Sequence, residues 1–311
     1  MKKRIRLLCF LPFLWACTSE EAEDISTDGI VSFANCMETK AIESDLNKPG
    51  KSFGVFASKT YDETDFYPVF NNQEVVYQEK GWSYSPVRYW DKEAAYVFKA
   101  FYPYRKSGIS GDMHGNLTIE TINVLERDAN NNQIDWLIAS KSFPKGTNSP
   151  ILFSFQHLLA NVNITIRKKD WENDVILNNF HFTGMKIVGS FNEANNPEWS
   201  VSGSDYNGNL FNVNNPVVLT DETTATPLFS DILMIPQSIS STMKFILNYT
   251  YEGISYRKEI ILNQKGYTTP WKQGTIIKYG LIITPESIQF EPIIITPWGE
   301  GEGENIPILP Q

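Results

Sequence analysis

The chain has 311 residues, and its 36 acidic and 27 basic side chains give a formal net charge of −9 at neutral pH. Hydrophobic residues make up 41% and aromatic residues 13% of the sequence, which is too apolar for a disordered chain. The acidic balance argues against nucleic acid as a partner, because phosphate binding needs a basic surface. At roughly 100–200 residues per domain, the length predicts two domains.

The first 16 residues have the pattern of a secretory signal peptide. Four basic residues precede an apolar run at 7–16, which is too short to span a bilayer. Residues 14–17 read Leu-Trp-Ala-Cys, which resembles the bacterial lipobox, where cleavage occurs before a cysteine that then receives lipid. We therefore predict a lipid anchor on Cys17 and an acidic, flexible tether at 17–29. The alternative is an ordinary signal peptide followed by a cysteine by chance.

Cysteine usage agrees with export. Of the three cysteines, Cys9 leaves with the signal peptide and Cys17 carries the lipid, so Cys36 alone remains. One thiol excludes an internal disulfide and a cysteine-based metal site. The fold must therefore be stable through its hydrophobic cores alone.

Period-two alternation of apolar and polar residues predicts β-strands along most of the chain. The clearest runs are at 96–101, 161–167, 244–251 and 277–283. Glu252 and Gly253 favour a tight turn, so we expect a hairpin over residues 244–262. Only a short segment around 156–160 is a candidate helix. The predicted fold class is all-β, with stacked antiparallel sheets.

A polar stretch at 168–174 follows the predicted strand that ends near Arg167. This break predicts an N-terminal β-sandwich over residues 30–167 and a C-terminal β-sandwich over residues 168–311. No repeat of fixed period is present in the sequence.

Residue types suited to catalysis or metal binding are scarce. The histidines are His114, His157 and His181, and the sequence contains no zinc-protease, phosphate-loop, serine-hydrolase or EF-hand motif. His157 lies in an apolar segment, where a half-buried structural histidine with a hydrogen-bond partner is the expected role. We therefore predict no enzyme activity, no cofactor and no metal.

Four aromatic residues cluster between turn signals, namely Trp82, Tyr84, Tyr89 and Trp90. If their rings are buried, they belong to the core of a β-sandwich, which is the favoured interpretation. If the rings are exposed, they could stack on sugars. The cluster therefore leaves glycan binding as a second hypothesis.

An ordered set of short motifs runs through the chain. Residues 96–103 form a predicted strand that ends in Phe-Tyr-Pro, and residues 155–160 read Phe-Gln-His-Leu-Leu-Ala. The other segments of the set are 30–33, 39–41, 52–57, 82–90, 133–139, 235–237, 271–274 and 279–285. Together with the lipobox, they resemble the fimbrillin family, the lipoprotein subunits of type V pili in anaerobic Gram-negative bacteria. The resemblance extends from about residue 30 to residue 298.

The resemblance implies two transthyretin-like β-sandwich domains and assembly by strand exchange. An extracellular trypsin-like protease would remove the first strand of the exported lipoprotein. The vacated groove would then bind a terminal strand of the next subunit, which satisfies its unpaired backbone groups and covers its apolar surface. The implied partners are other fimbrial subunits, that protease, the outer membrane through the lipid on Cys17, and a host or bacterial surface ligand.

Mapped onto this sequence, the removable strand covers about 30–40 and the cut falls between Lys40 and Ala41. The family more commonly has arginine at this step, and no arginine lies between Cys17 and Arg88. A protease that accepts only arginine could therefore not release the strand.

The donor strand would lie near the C-terminus, at about 286–298. The donor candidates are Ile288, Phe290, Ile293 and Ile295. The alternative is that residues 293–295 are simply the last core strand. Pro307 and Pro310 make the last few residues a poor strand, which favours a donor upstream of Gly299.

These features predict a structural or adhesive subunit of a type V fimbrium, exported to the outer membrane and exposed on the cell surface. The stalk, anchor and tip or accessory roles stay open. The alternative function is a monomeric surface glycan-binding lipoprotein, which would keep both its N-terminus and its lipid.

Overall fold

The computed structural model describes residues 29–38, 46–196, 198–208, 212–213, 215–264, 268–299 and 307–308. All regular secondary structure in these residues is β-strand, which confirms the all-β fold class. The described part of the chain accordingly has no helix that could cross a membrane.

The strands are, in chain order, β1 (Met37–Glu38), β2 (Ser52–Thr60), β3 (Phe66–Gln78), β4 (Gly81–Ser83), β5 (Ala95–Tyr102), β6 (Ile109–Gly111), β7 (Leu117–Asn123), β8 (Leu137–Phe143), β9 (Ser154–His157), β10 (Ala160–Lys168), β11 (Val175–Thr183), β12 (Val188–Asn192), β13 (Trp199–Ser202), β14 (Asn212–Val213), β15 (Val217–Leu219), β16 (Thr226–Met234), β17 (Lys244–Tyr251), β18 (Ile254–Ile261), β19 (Thr275–Ile283), β20 (Ile288–Phe290), β21 (Ile293–Pro297) and β22 (Pro307–Ile308).

A seven-stranded sheet with the order β1-β9-β8-β5-β2-β3-β4 organises the first half of the chain. Its central strands bury side chains on both faces, because successive residues of a strand point to opposite sides. Val55 and Phe98 belong to a core that also contains Val31. Phe56 and Phe101 belong to a second, larger core that extends into the other half of the chain.

Two further sheets contribute most of the larger core. One has the order β16-β10-β19-β21-β22, with β20 also paired to β19, and the other has the order β14-β11-β17-β18, with β15 paired to β11. Val162, Ile164 and Ile166 of β10 are fully buried. Phe245 of β17 packs edge-on against Tyr279 of β19, with ring centroids 5.8 Å apart. Each such side chain contributes about 1.5–3 kcal/mol through burial, so this core is a major source of stability.

A four-stranded sheet joins the two halves of the chain, because its order is β13-β12-β7-β6 and β7 pairs with β12. A partly buried ion pair reinforces this junction. The Glu193 carboxylate accepts hydrogen bonds from Lys99 Nζ at 2.6 Å and from the Leu117 backbone N–H at 2.7 Å. Since Lys99 is itself buried, removing Glu193 would leave an unpaired charge in a poorly solvated position.

The predicted hairpin is confirmed. Strands β17 and β18 pair from Lys244–Ile261 to Tyr251–Ile254, which leaves a two-residue turn. Glu252 and Gly253 both have positive φ, at 48° and 77°. Such a turn matches the right-handed twist of the flanking strands, which explains its preference in tight hairpins.

The expected helix around 156–160 is wrong. Phe155 and His157 are buried while Ser154 and Gln156 are exposed, so the period is two and the segment forms β9. The next strand, β10, starts at Ala160.

Two strand pairings differ from a purely antiparallel arrangement. Strand β10 runs parallel to β19, and β1 runs parallel to β9. Parallel neighbours need a long connection. Strands β11 to β18 connect β10 to β19, and strands β2 to β8 connect β1 to β9. The expected domain boundary follows Arg167, whereas β10, which contains this residue, lies between β16 and β19 of the second half.

Gly184 offers a test of the packing around β11. Its φ is +88°, and a Cβ atom at this position would overlap the backbone carbonyl of Thr242. We expect Gly184→Ala to lower the free energy of unfolding by about 3 kcal/mol, because left-handed strain adds to a backbone clash. Gly253 has a φ of +77° and no atom near the position of a new Cβ. Gly253→Ala should therefore lower the free energy of unfolding by only about 1 kcal/mol.

Urea unfolding followed by tryptophan fluorescence measures both changes. Equal losses for Gly184→Ala and Gly253→Ala would contradict the packing described for this turn.

Candidate assembly site

Residues 29–38, here called the first segment, lie along the edge and one face of the N-terminal sheet. Backbone hydrogen bonds join residues 29–34 to the 88–90 segment and to Ile151, with N···O distances between 2.7 and 2.9 Å. Further along, β1 pairs with β9 in parallel register. The first segment therefore supplies backbone partners to two separate parts of the chain.

Phe33 anchors the first segment in the core. Its side chain is only 7% exposed, and Val31 and Cys36 on either side are also buried. The Phe33 ring contacts four other rings at centroid distances of 5.6–6.2 Å, namely Phe53, Phe70, Tyr84 and Phe153. We call the surface formed by these four rings and Ile151 the first-segment groove.

Polar contacts fix the ends of the first segment. The Tyr84 hydroxyl donates to the Val31 carbonyl oxygen at 2.6 Å. Burial raises the pKa of this phenol, so it keeps the proton that it donates. The Asn47 side chain accepts from the Cys36 N–H at 2.9 Å and donates to the Cys36 carbonyl at 3.0 Å. The indole N–H of Trp82 also donates to the Asn47 side-chain oxygen, at 3.2 Å.

The arrangement has a direct consequence for a chain that loses its first segment. The backbone groups at Arg88, Trp90 and Ile151 that pair with residues 29–34 would lose those partners. The apolar rings around Phe33 would lose their cover at the same time. A second strand with an apolar residue at the position of Phe33 could satisfy both needs.

The predicted modification sites lie outside the described residues. These are the lipidation site Cys17 and the processing site at Lys40 and Ala41, together with the signal peptide at 1–16. The first segment ends at Glu38, two residues before Lys40 in the sequence.

All four donor-strand candidates lie in strands that pair with β19. Ile288 and Phe290 belong to β20, and Ile293 and Ile295 belong to β21. Ile293 is only 2% exposed, and Phe290 packs against the rings of Phe245 and Tyr279. In this monomer, both strands therefore contribute to the chain's own core.

The junction between β20 and β21 is fixed by Glu291. Its backbone N–H donates to the Gly280 carbonyl at 2.8 Å, and its carboxylate accepts from Arg167 Nε at 2.7 Å. Pro292 follows and has no N–H to donate. Donation of either strand would require these contacts to break.

His157 is fully buried rather than half-buried, and it has two partners. The Asp135 carboxylate lies 3.0–3.1 Å from His157 Nδ1. The Trp298 ring stacks on the imidazole with a centroid distance of 3.5 Å and an interplanar angle of 1°. The predicted structural role fits this geometry, and the residues that sequence reasoning missed are Asp135 and Trp298.

The aromatic cluster at 82–90 lies mainly in the core. Trp82 packs edge-on against Phe53 at 4.5 Å, and Trp90 is only 8% exposed. Tyr84 contacts Phe33, as described above. Tyr89 is the exception, with 66% of its surface exposed. These four residues therefore do not form an exposed aromatic platform for a sugar.

The three histidines lie in different parts of the fold. His114 is in the turn between β6 and β7, next to the ring of Phe66, and His181 is in β11. Among the described residues, no group of three or more His, Cys, Asp or Glu side chains is placed to hold a metal ion.

Two solved structures of Bacteroides proteins have a similar overall fold. A fimbrial protein from Bacteroides vulgatus matches with a TM-score of 0.62 and 18% identity, over 87% of this chain and 100% of its own. A candidate cell adhesion protein from Bacteroides uniformis matches with a TM-score of 0.52 and 14% identity, over 87% of this chain and 99% of its own. Among curated proteins, none matches the chain in sequence.

The sequence profile of one family matches most of the chain. This profile is described as fimbrillin-like, and it covers residues 39–298. Fimbrillin-like proteins are structural rather than catalytic, which confirms the prediction that the chain is not an enzyme. The resemblance seen in the sequence motifs is thus confirmed as well, and the chain belongs to the fimbrillin-like family.

Proposed function

We propose that this protein is a structural or adhesive subunit of a surface fimbrium and that it assembles by protease-triggered strand exchange. The observation that carries the proposal is the docking of the first segment. Phe33 fills an aromatic groove while the adjoining backbone pairs with residues 88–90 and Ile151. A neighbouring subunit can replace these contacts with one apolar strand of its own.

Export would precede assembly. The signal peptide at 1–16 directs the chain out of the cytoplasm, and lipid on Cys17 anchors it in the outer membrane through the tether at 17–29. The anchored precursor keeps its groove filled by the first segment, which prevents premature polymerisation. The expected partners are other fimbrial subunits, a trypsin-like protease and a surface ligand.

Processing would occur between Lys40 and Ala41. The last described residue of β1 is Glu38, so a cut at Lys40 would leave the whole docked segment on the released side. The freed segment would be held only by non-covalent contacts. A neighbouring strand tethered at high effective concentration could then displace it.

The two candidate donor runs would not fit one groove equally. Ile288 and Phe290 are two residues apart, as are Ile293 and Ile295, but Phe290 and Ile293 are three apart. Since strand side chains alternate with a period of two, the two runs point to opposite faces of any continuous strand. We propose β21 as the donor, because it is the longer strand.

The domain organisation belongs to the same proposal. The two buried clusters support two β-sandwich domains of the transthyretin-like type. In this arrangement, β10 belongs with the second domain although it precedes the polar break at 168–174. A stalk role needs both the groove and the donor strand, whereas a tip role needs the groove alone.

A monomeric glycan-binding lipoprotein is the second candidate function. It would keep the first segment and the lipid on Cys17. The N-terminus of protein sheared from the cell surface distinguishes the two functions, because only the fimbrial subunit loses the residues before Ala41.

Lys40→Ala tests the processing site. We expect the variant to accumulate as lipidated precursor and to be missing from sheared fibres, because a trypsin-like protease needs a basic residue before the cut. Lys40→Arg should restore processing, and Lys48→Ala should behave like the unmodified protein. Immunoblots of membrane and sheared fractions measure all three. Normal fibres that contain Lys40→Ala would contradict the proposed site.

Disulfide trapping tests the donor strand. Tyr89 is exposed and pairs with Ile30 of the first segment, so Tyr89→Cys marks the groove edge with little effect on packing. We combine it in turn with Ile294→Cys or Thr296→Cys in β21, and with Gln289→Cys in β20. At least one β21 pair should give a ladder of cross-linked multimers in oxidised fibres.

In the matched control, Val218→Cys at an exposed position of β15 replaces Tyr89→Cys. Combined with the same cysteines in β20 or β21, it should give no ladder. Fibres that form without cross-links from either β21 position would contradict β21 as the donor. A ladder from Gln289→Cys alone would assign donation to β20.

A further inference from the structure

An open groove lies beside β13, far along the chain from the first segment. Its volume is about 490 Å³, and it runs between this edge strand and the segments at 236–238 and 270–273. Trp199 and Val201 share one face of β13 and line the groove together with Pro270, which is exposed, and Pro236, which is buried. We call this surface the Trp199 groove.

The Trp199 ring is held in a fixed orientation. It packs against Phe191 with a centroid distance of 5.3 Å, and its indole N–H donates to Gln273 Oε1 at 2.8 Å. The ring is half-buried, and the neighbouring Val201 is 42% exposed. The contacts with Phe191 and Gln273 thus hold the Trp199 ring in one orientation, with part of its apolar surface exposed to solvent.

The floor of the groove is equally rigid. Gln237 and Trp271 exchange two backbone hydrogen bonds at 2.9 and 3.1 Å. The buried side-chain amide of Gln237 also bonds to the backbone N–H and carbonyl of Lys186, each at 2.9 Å. The groove is therefore formed before any ligand arrives, as is usual for small-molecule sites.

The rim carries polar groups of every hydrogen-bonding type. Glu198 offers a carboxylate, Lys272 an ammonium group, Ser238 a hydroxyl and Gln273 an amide, and all four side chains are exposed. The amide oxygen of Gln273 already accepts from Trp199, so its NH₂ group is the part that can donate to a ligand. The negative charge of Glu198 and the positive charge of Lys272 balance each other, which favours a ligand without net charge.

From these observations, we propose that the Trp199 groove binds a neutral saccharide. The C–H faces of a sugar ring would lie on the indole of Trp199 and on the exposed ring of Pro270. Its hydroxyl groups, which donate and accept at once, would bond to the carboxylate, ammonium and amide groups of the rim. The open shape of the groove allows a longer glycan to continue beyond the bound ring.

An extended peptide fits this surface less well. Strand addition relies on backbone hydrogen bonds along a free edge. Strand β13 has only four residues, which gives an edge about 13 Å long. Such a short edge provides few backbone partners, and a peptide paired with it would leave the polar side chains of the rim unused.

The inference deepens the adhesive part of the proposed function and rests on it, since it supplies the class of surface ligand. Binding and assembly use different residues. The Trp199 groove lies between β13 and the 236–238 and 270–273 segments, and the first-segment groove involves Phe53, Phe70 and Phe153.

The test is a glycan array probed with the full chain. The array carries neutral oligosaccharides of hexoses and N-acetylhexosamines, with sialylated and sulfated glycans as the charged comparison set. We expect binding to neutral glycans, weakened about tenfold by Trp199→Leu and by Gln273→Ala. Tyr67→Leu, which removes an exposed aromatic ring of β3, should stay within about twofold of the unmodified protein.

Several outcomes would overturn the inference. They are no binding to any neutral glycan, binding to charged glycans alone, and binding that neither Trp199→Leu nor Gln273→Ala weakens. Proline-rich peptides are screened in parallel, and capture of these peptides without any glycan would assign the groove to a different ligand. If Trp199→Leu fails to fold, the exposed changes Gln273→Ala and Lys272→Ala decide the matter.

Fibre incorporation of the same variants is scored separately. Variants that lose glycan binding but still enter fibres support both proposals. Glycan binding by a protein that never enters fibres would contradict the fimbrial role and leave the saccharide site supported.

Discussion

Burial of Phe33 among four aromatic rings is the contact on which the rest of the molecule's proposed behaviour depends. It closes the N-terminal core with a segment that precedes the proposed cut at Lys40. Because the adjoining backbone also pairs with Ile151 and residues 88–90, the position is that of a strand and not merely of an apolar plug. Any replacement must therefore offer both an apolar side chain and an extended backbone.

A fibre subunit must also carry load from its groove to its donor strand. Several contacts join the two halves here, including the β7–β12 pairing and the partly buried Lys99–Glu193 ion pair. Near the C-terminus, Trp298 stacks on His157, which in turn meets Asp135 of the first half. These contacts place the end of β21 against the N-terminal half. They also stabilise β21 in its place within the chain. Release of β21 therefore requires a compensating gain in free energy from binding in the groove of another subunit.

Sequence periodicity predicted local structure well and long-range pairing poorly. The β17–β18 hairpin could be predicted because Glu252 and Gly253 define its turn and both strands alternate cleanly. The parallel pairing of β10 with β19 could not, since periodicity contains no information about which distant strand is the neighbour. The segment at 156–160 suggests a helix from its sequence but forms a strand, because so short an apolar run fits either period. The burial of Trp90 depends on its packing against Tyr96, Phe98 and Phe143, and local periodicity does not predict such contacts.

The central claim is that the first segment is removed and replaced by a strand of another subunit. Its most direct test is the N-terminus of the protein sheared from the cell surface, determined by mass spectrometry. The proposal predicts a chain that starts at Ala41. A lipidated start at Cys17 on all of the protein would contradict strand exchange through the first-segment groove.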